Sequence, residues 1–170
     1  MELKKFCENS KTSCCKIYDI FILFFDTLVE VIEDLDNEKY WRINNDLDES
    51  LFNPFYHQKY GSKEKILTQI KEKVLKFVLK LQFEESTLVL SFINIDRLLK
   101  VDERLLELNS LYHILTTSLI LAQLYNEDNF YSSSTYCKYS ETTLLKYNTN
   151  TKFFMMKVNY FFYVSESTYK

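Results

Sequence analysis

The 170-residue sequence predicts an all-α fold. Three observations carry that expectation. One glycine, Gly61, and one proline, Pro54, leave the chain almost without strong breakers. Apolar residues make up 46% of it and charged residues 26%, the balance of a globular chain and not of a disordered one. Long apolar runs recur at helical spacing, separated by polar stretches. A chain of this length fits one domain and can bury a real core.

The elements follow in order. Residues 1–15 are polar and predict a flexible N-terminus. Ile17, Ile20, Phe21, Phe24, Leu28, Val31 and Leu35 then recur on one helical face, with Asp19, Asp26, Glu30 and Glu33 on another. Glu33, Asp34 and Asp36 oppose the dipole at the end of this helix, so it is expected to fray before Asn37. The rest of the 16–62 region reads as a polar connection, pinned by Trp41, Phe52, Phe55 and Tyr56. Ser62 is a plausible N-cap for a helix over 63–81, with Ile66, Ile70, Val74, Phe77 and Leu81 as its inward stripe. A third helix is expected over 86–101. Asn109 or Ser110 can cap a fourth over 111–125, apolar nearly all round and therefore central. A short helix over 132–139 and a longer one over 142–162 follow, the latter weakened by residues 148–151.

The third helix holds the most informative stretch. Leu88-Val89-Leu90-Ser91-Phe92-Ile93-Asn94-Ile95-Asp96-Arg97-Leu98-Leu99 is apolar enough to be buried, yet carries an adjacent Asp-Arg pair. A buried charge needs a partner or a route to solvent.

Composition removes several function classes. A lone glycine excludes phosphate-cradling loops built from several glycines. A net charge of −3 argues against general nucleic-acid binding. The apolar run over 20–25 is too short for a signal peptide or membrane span, and Asp19 and Asp26 bound it. Cys7, Cys14, Cys15 and Cys137 have no neighbouring histidine and read as reduced thiols of an intracellular protein, with no metal site or cofactor expected. No catalytic constellation emerges. His113 reads as a core or edge histidine on a buried helix, and His57 as a structural or exposed residue of an aromatic loop. The lysines at 63, 65, 71, 73, 76 and 80 read first as a solvated helix face, and second as a site for a phosphate group or acidic partner. The aromatic cluster Phe153, Phe154, Tyr160, Phe161, Phe162 and Tyr163 reads mainly as core, with part of it available for docking.

Three stretches carry a family resemblance: the 88–99 run with Ile95-Asp96-Arg97-Leu98, then Leu115-Thr116-Thr117-Ser118-Leu119-Ile120-Leu121-Ala122, then Asp128-Asn129-Phe130-Tyr131 with Tyr136 and Lys138. In this order the chain, from residue 17 to 169, resembles cyclins of the P type, the phosphate-response group. No single motif is specific; their order and spacing make the likeness. The resemblance implies a single five-helix cyclin box over 63–170 with an additional N-terminal helix. It implies a non-enzymatic regulatory subunit, in the nucleus or cytoplasm, whose partner is a cyclin-dependent protein kinase, with neither nucleic acid nor membrane as partner. It also implies an ion pair between Asp96 and a basic residue on the first box helix, a position that falls at Lys76, with Arg97 left to reach solvent.

The sequence departs from the family at the kinase-facing charges. Activating cyclins commonly present a Lys late in the third box helix and a Glu on the fifth. Those positions fall at Leu124 and Thr151, with Gln123, Glu127 and Lys152 nearby. Kinase contact is therefore expected from Leu124, Tyr125, Thr151 and Phe154. The missing charges favour an alternative, a scaffold that keeps the fold without activating a kinase. An adaptor binding nucleic acid is disfavoured by the acidic balance.

Overall fold

Six α-helices form the architecture of the computed structural model, which describes residues 13–37, 55 and 61–164. They are α1 (Ser13–Asn37), α2 (Lys63–Leu81), α3 (Glu85–Val101), α4 (Leu111–Asn126), α5 (Ser133–Tyr139) and α6 (Leu144–Lys157), with a 3-10 turn at Glu103–Leu105. No strand occurs among the described residues, so the fold is all-α. The expectations for residues 1–12, for Trp41, Phe52, Tyr56 and His57, and for the side chains of Cys14 and Cys15 lie outside what is described. Among the described residues no helix is long and apolar enough to cross a membrane.

The centre is α4. All side chains from Leu111 to Gln123 are buried, as its near-continuous apolar character requires. α3 lies against it most extensively, and α2 and α6 pack on it as well. Small residues let α3 and α4 approach closely: Ser118 and Ser91 are both fully buried, and Ser118 Oγ donates to the Ser91 carbonyl at 2.6 Å. The buried hydroxyls of Tyr112 and Thr116 are satisfied within the protein as well, by the Ser140 and Tyr112 carbonyls, each at 2.9 Å.

Local signals explain the helix ends. Ser62 and Thr143 cap α2 and α6, accepting from Lys65 N and Lys146 N, and Ser132 caps α5. Ser110 stands before α4 but makes no cap bond; its oxygen takes the Glu107 N–H instead. A chain with so few glycines must stop its helices by other means. Gln82, Glu141 and Asn159 take the left-handed conformation that glycine usually supplies. The N–H groups that follow, of Phe83, Thr142 and Tyr160, return to Val78, Cys137 and Met155 carbonyls. α6 therefore ends at Lys157, short of the expected 162, while residues 148–151 remain helical. α1 continues to Asn37 instead of fraying before it.

α1 packs on α3 and α2. It buries Phe21, Phe25, Leu28 and Ile32, while Ile17, Ile20, Phe24 and Val31 are half-buried. The inward face is thus rotated from the expected stripe, because α1 touches two helices and uses two adjacent rows. Phe24 stacks on Phe92 of α3 with ring centroids 4.0 Å apart. Lys71 and Lys63 of α2 reach Asp26 at 2.8 Å and Glu33 at 3.5 Å. Phe55, fully buried, meets Phe153 and Phe154 of α6 edge-on, which bears out its expected pinning role.

The charge pair in α3 resolves differently from expectation. Asp96 bonds Lys100, one turn along its own helix, at 2.6 Å. Its carboxylate is exposed, and Lys76 is exposed on α2. A Lys76–Asp96 bridge is not formed, since α3 packs on α4, α1 and α6 and turns Asp96 outward. Arg97 is half-buried, its guanidinium reaching the surface. It donates to the carbonyls of Phe161 at 3.0 Å and Tyr163 at 2.7 Å.

Candidate partner-binding surface

α4 leaves the core abruptly. Gln123 is buried, but Leu124 and Tyr125 are 38% and 54% exposed. The change follows from a polar bracket around the helix end. Glu127 accepts from Thr87 Oγ1 at 2.7 Å and from the Glu84 N–H at 3.1 Å, both at the start of α3. Its other oxygen accepts from Gln123 Nε2 at 2.7 Å. Asn126 donates to Ser86 and Thr87 at 2.8 and 3.0 Å. The carboxylate of Glu127 thus sits at the N-terminus of α3, where the helix dipole favours it and where Glu84 makes no side-chain cap. Locked this way, the last turn of α4 presents Leu124 and Tyr125 outward.

The bracket settles two of the nearby residues. Gln123 is interior and uncharged, and the half-buried Glu127 is engaged with α3. Lys152 is exposed on α6.

On α6 the candidates separate. Thr151 is half-buried. Phe154 is fully buried against Phe55, which removes it from any contact surface. It is a core residue: of two adjacent aromatics on a helix, Phe154 turns in and Phe153 lies at the margin. Leu124 and Tyr125 remain the surface candidates.

The segment after α6 adds residues that the sequence left among core aromatics. Phe162 is buried with its ring centroid 6.2 Å from that of Tyr125. Tyr160, Phe161 and Tyr163 are all more than half exposed. Tyr125 and this segment therefore share one aromatic edge. Phe130 in the connection after α4 is exposed as well.

A cavity of about 420 Å³ lies between α2, the first turn of α4 and the start of α6. Gln69, Lys73, His113, Thr143 and Lys146 are among its lining. Lys73 pairs with Glu141 across it, and burial lowers the Lys146 ammonium. His113 is 7% exposed with its ring edge-on to Tyr112, a core histidine at the cavity wall. Half of the lysines in α2 are thus used in ion pairs, Lys63 and Lys71 to α1 and Lys73 to Glu141. Cys137 carries a free thiol that burial pushes up, away from the reactive thiolate.

The described residues make an all-helical fold with an exposed aromatic edge at the end of α4. No protein-family model matches the chain, and no curated protein matches it.

Proposed function

We propose that the chain is a regulatory subunit with a cyclin-box fold that binds, and acts on, a cyclin-dependent protein kinase. One observation carries the reading: among five consecutive helices, α2 to α6, the third, α4, is buried from Leu111 to Gln123 with α2, α3 and α6 packed on it, and a further helix leads them. That is the helix order and central helix that the resemblance calls for. In this reading the box supplies no catalytic group. It docks on the kinase and holds the arrangement competent for phosphoryl transfer by binding that arrangement more tightly than the inactive one. The contact is made by Leu124 and Tyr125 with the aromatic edge after α6, and Thr151, half-buried on α6, is the remaining expected contact.

Affinity purification of the chain followed by mass spectrometry tests it. A kinase recovered at near-stoichiometric yield is the expected result. Recovery of no kinase overturns the function while leaving the fold untouched.

A second reading has a specific observation behind it. Leu124 and Thr151 are uncharged, Gln123 is buried and Glu127 is tied to α3, so neither position expected to face a kinase carries its charge. A scaffold that binds without activating has this surface. A phosphoryl-transfer assay on the purified complex separates the two, since only an activating subunit raises the rate.

A further inference from the structure

The chain leaves α6 through two consecutive left-handed residues, Asn159 (φ 53°) and Tyr160 (φ 56°). Asn is a common occupant of the first position after a helix. Tyr at the second is strained, because its Cβ crowds the neighbouring carbonyl. The turn is closed by the Asn159 N–H on the Met156 carbonyl at 3.1 Å and the Tyr160 N–H on the Met155 carbonyl at 2.7 Å. Beyond it, two devices hold the segment down. Arg97 spans it with one bond to Phe161 and one to Tyr163, its guanidinium 4.9 Å from the Phe161 ring centroid. Phe162 is 8% exposed beside Tyr125, while its neighbours Phe161 and Tyr163 stand in solvent.

We propose that residues 159–164 are a displaceable strap, clasped by Arg97, whose opening uncovers the seat of Phe162 beside Tyr125. The closed state has one arginine and one buried ring in its favour and a strained Tyr160 against it. Such a segment opens locally, without unfolding the helices beneath it. The open state widens the apolar edge at the end of α4. The regulatory meaning rests on the kinase-binding reading: the closed strap is an intramolecular competitor for the surface that the kinase takes. The strap itself stands independently of that reading.

Residue-resolved amide exchange on the full chain tests it. The amides at positions 160 and 161 report the closed turn, since Tyr160 bonds Met155 and Phe161 bonds the Val158 carbonyl at 3.0 Å. In Arg97→Ala both amides should exchange about tenfold faster or more, with α4 amides unchanged, because a charged donor is lost to two carbonyls. In Tyr160→Gly the amide at position 161 should slow several-fold, roughly two to five, because glycine takes a left-handed φ without strain. Binding of the apolar dye anilinonaphthalene sulfonate should rise in Arg97→Ala and not in Tyr160→Gly. Strap amides that merely follow those of α4 in both variants overturn the proposal, as does faster exchange without added dye binding. Tyr160→Gly decides the matter alone if Arg97→Ala fails to fold. With a kinase in hand, Arg97→Ala should raise its recovery. Absence of any kinase removes the kinase reading and leaves the exchange pattern as stated.

Discussion

The Tyr136 hydroxyl on α5 donates to Gln123 Oε1 on α4 at 2.8 Å, inside the protein, and itself accepts the Tyr131 N–H at 3.2 Å. Gln123 passes the connection to Glu127, and Glu127 to the start of α3. Three helices are thereby held by one chain of bonds. Tyr136→Phe leaves Gln123 Oε1 buried and unbonded. It should cost about 1–3 kcal/mol, read from the urea midpoint at pH 7.

The same tyrosine gives an alkaline signature. Burial pushes its phenol up to about 12. An unfolded tyrosine loses its proton near ~10. Between those values the folded chain keeps a proton that the unfolded chain has released, so stability present below pH ~10 falls as pH rises. Burial raises Tyr112 also, and it adds the same sign. Urea midpoints measured from pH 9 upward should decline, and less steeply in Tyr136→Phe.

Phe154 and Leu124 should part company on substitution. Phe154→Ala empties a fully buried site between α6 and Phe55, and should cost about 3–5 kcal/mol. Leu124→Ser, at the surface, should change stability by no more than about 0.5 kcal/mol. If the proposed function holds, Leu124→Ser lowers kinase recovery in a pull-down while the thermal midpoint stays in place.

Gln82 is the cleanest of the left-handed helix ends, since Glu141 also carries an ion pair. Gln82→Gly removes the Cβ conflict at φ 52° and should stabilise the protein by about 0.5–1 kcal/mol despite a more flexible unfolded chain. Denaturant titration of the two proteins checks the sign.

Asn94 is fully buried in α3, and neither amide atom has a hydrogen-bond partner among the described residues. Asn94→Leu, which keeps the branching and heavy-atom count, removes that desolvation penalty and should stabilise by about 1 kcal/mol. A lower thermal midpoint would show that the amide has a favourable role.

Much of this fold is legible in the sequence. α2 is read to the residue because Ser62 caps it and its five predicted inward positions are all buried. The central place of α4 follows from its apolar character on every side. The contact surface is only partly legible. Phe153 and Phe154 are adjacent and chemically alike, and only packing decides which one turns inward. The end of α6 carries no glycine, and Asn159, a weaker helix-end signal, is all in the sequence that announces the turn. Asp96 shows the opposite case. Lys100, four residues on, is a local partner legible in the sequence; the longer-range match to Lys76 drew on family likeness instead.

The position of α1 has a consequence for how the protein is made. This helix leaves the ribosome before α2 and α3, and the ring on which Phe24 stacks, Phe92, belongs to α3 and emerges much later. A nascent α1 therefore waits with Phe21, Phe24 and Phe25 in water, the circumstance in which aromatic segments aggregate. The carboxylates along its other side guard it during synthesis. When α2 arrives, two of those guards, Asp26 and Glu33, become the anchors that Lys71 and Lys63 seize. The same acids serve first as a shield for the growing chain and then as its mooring.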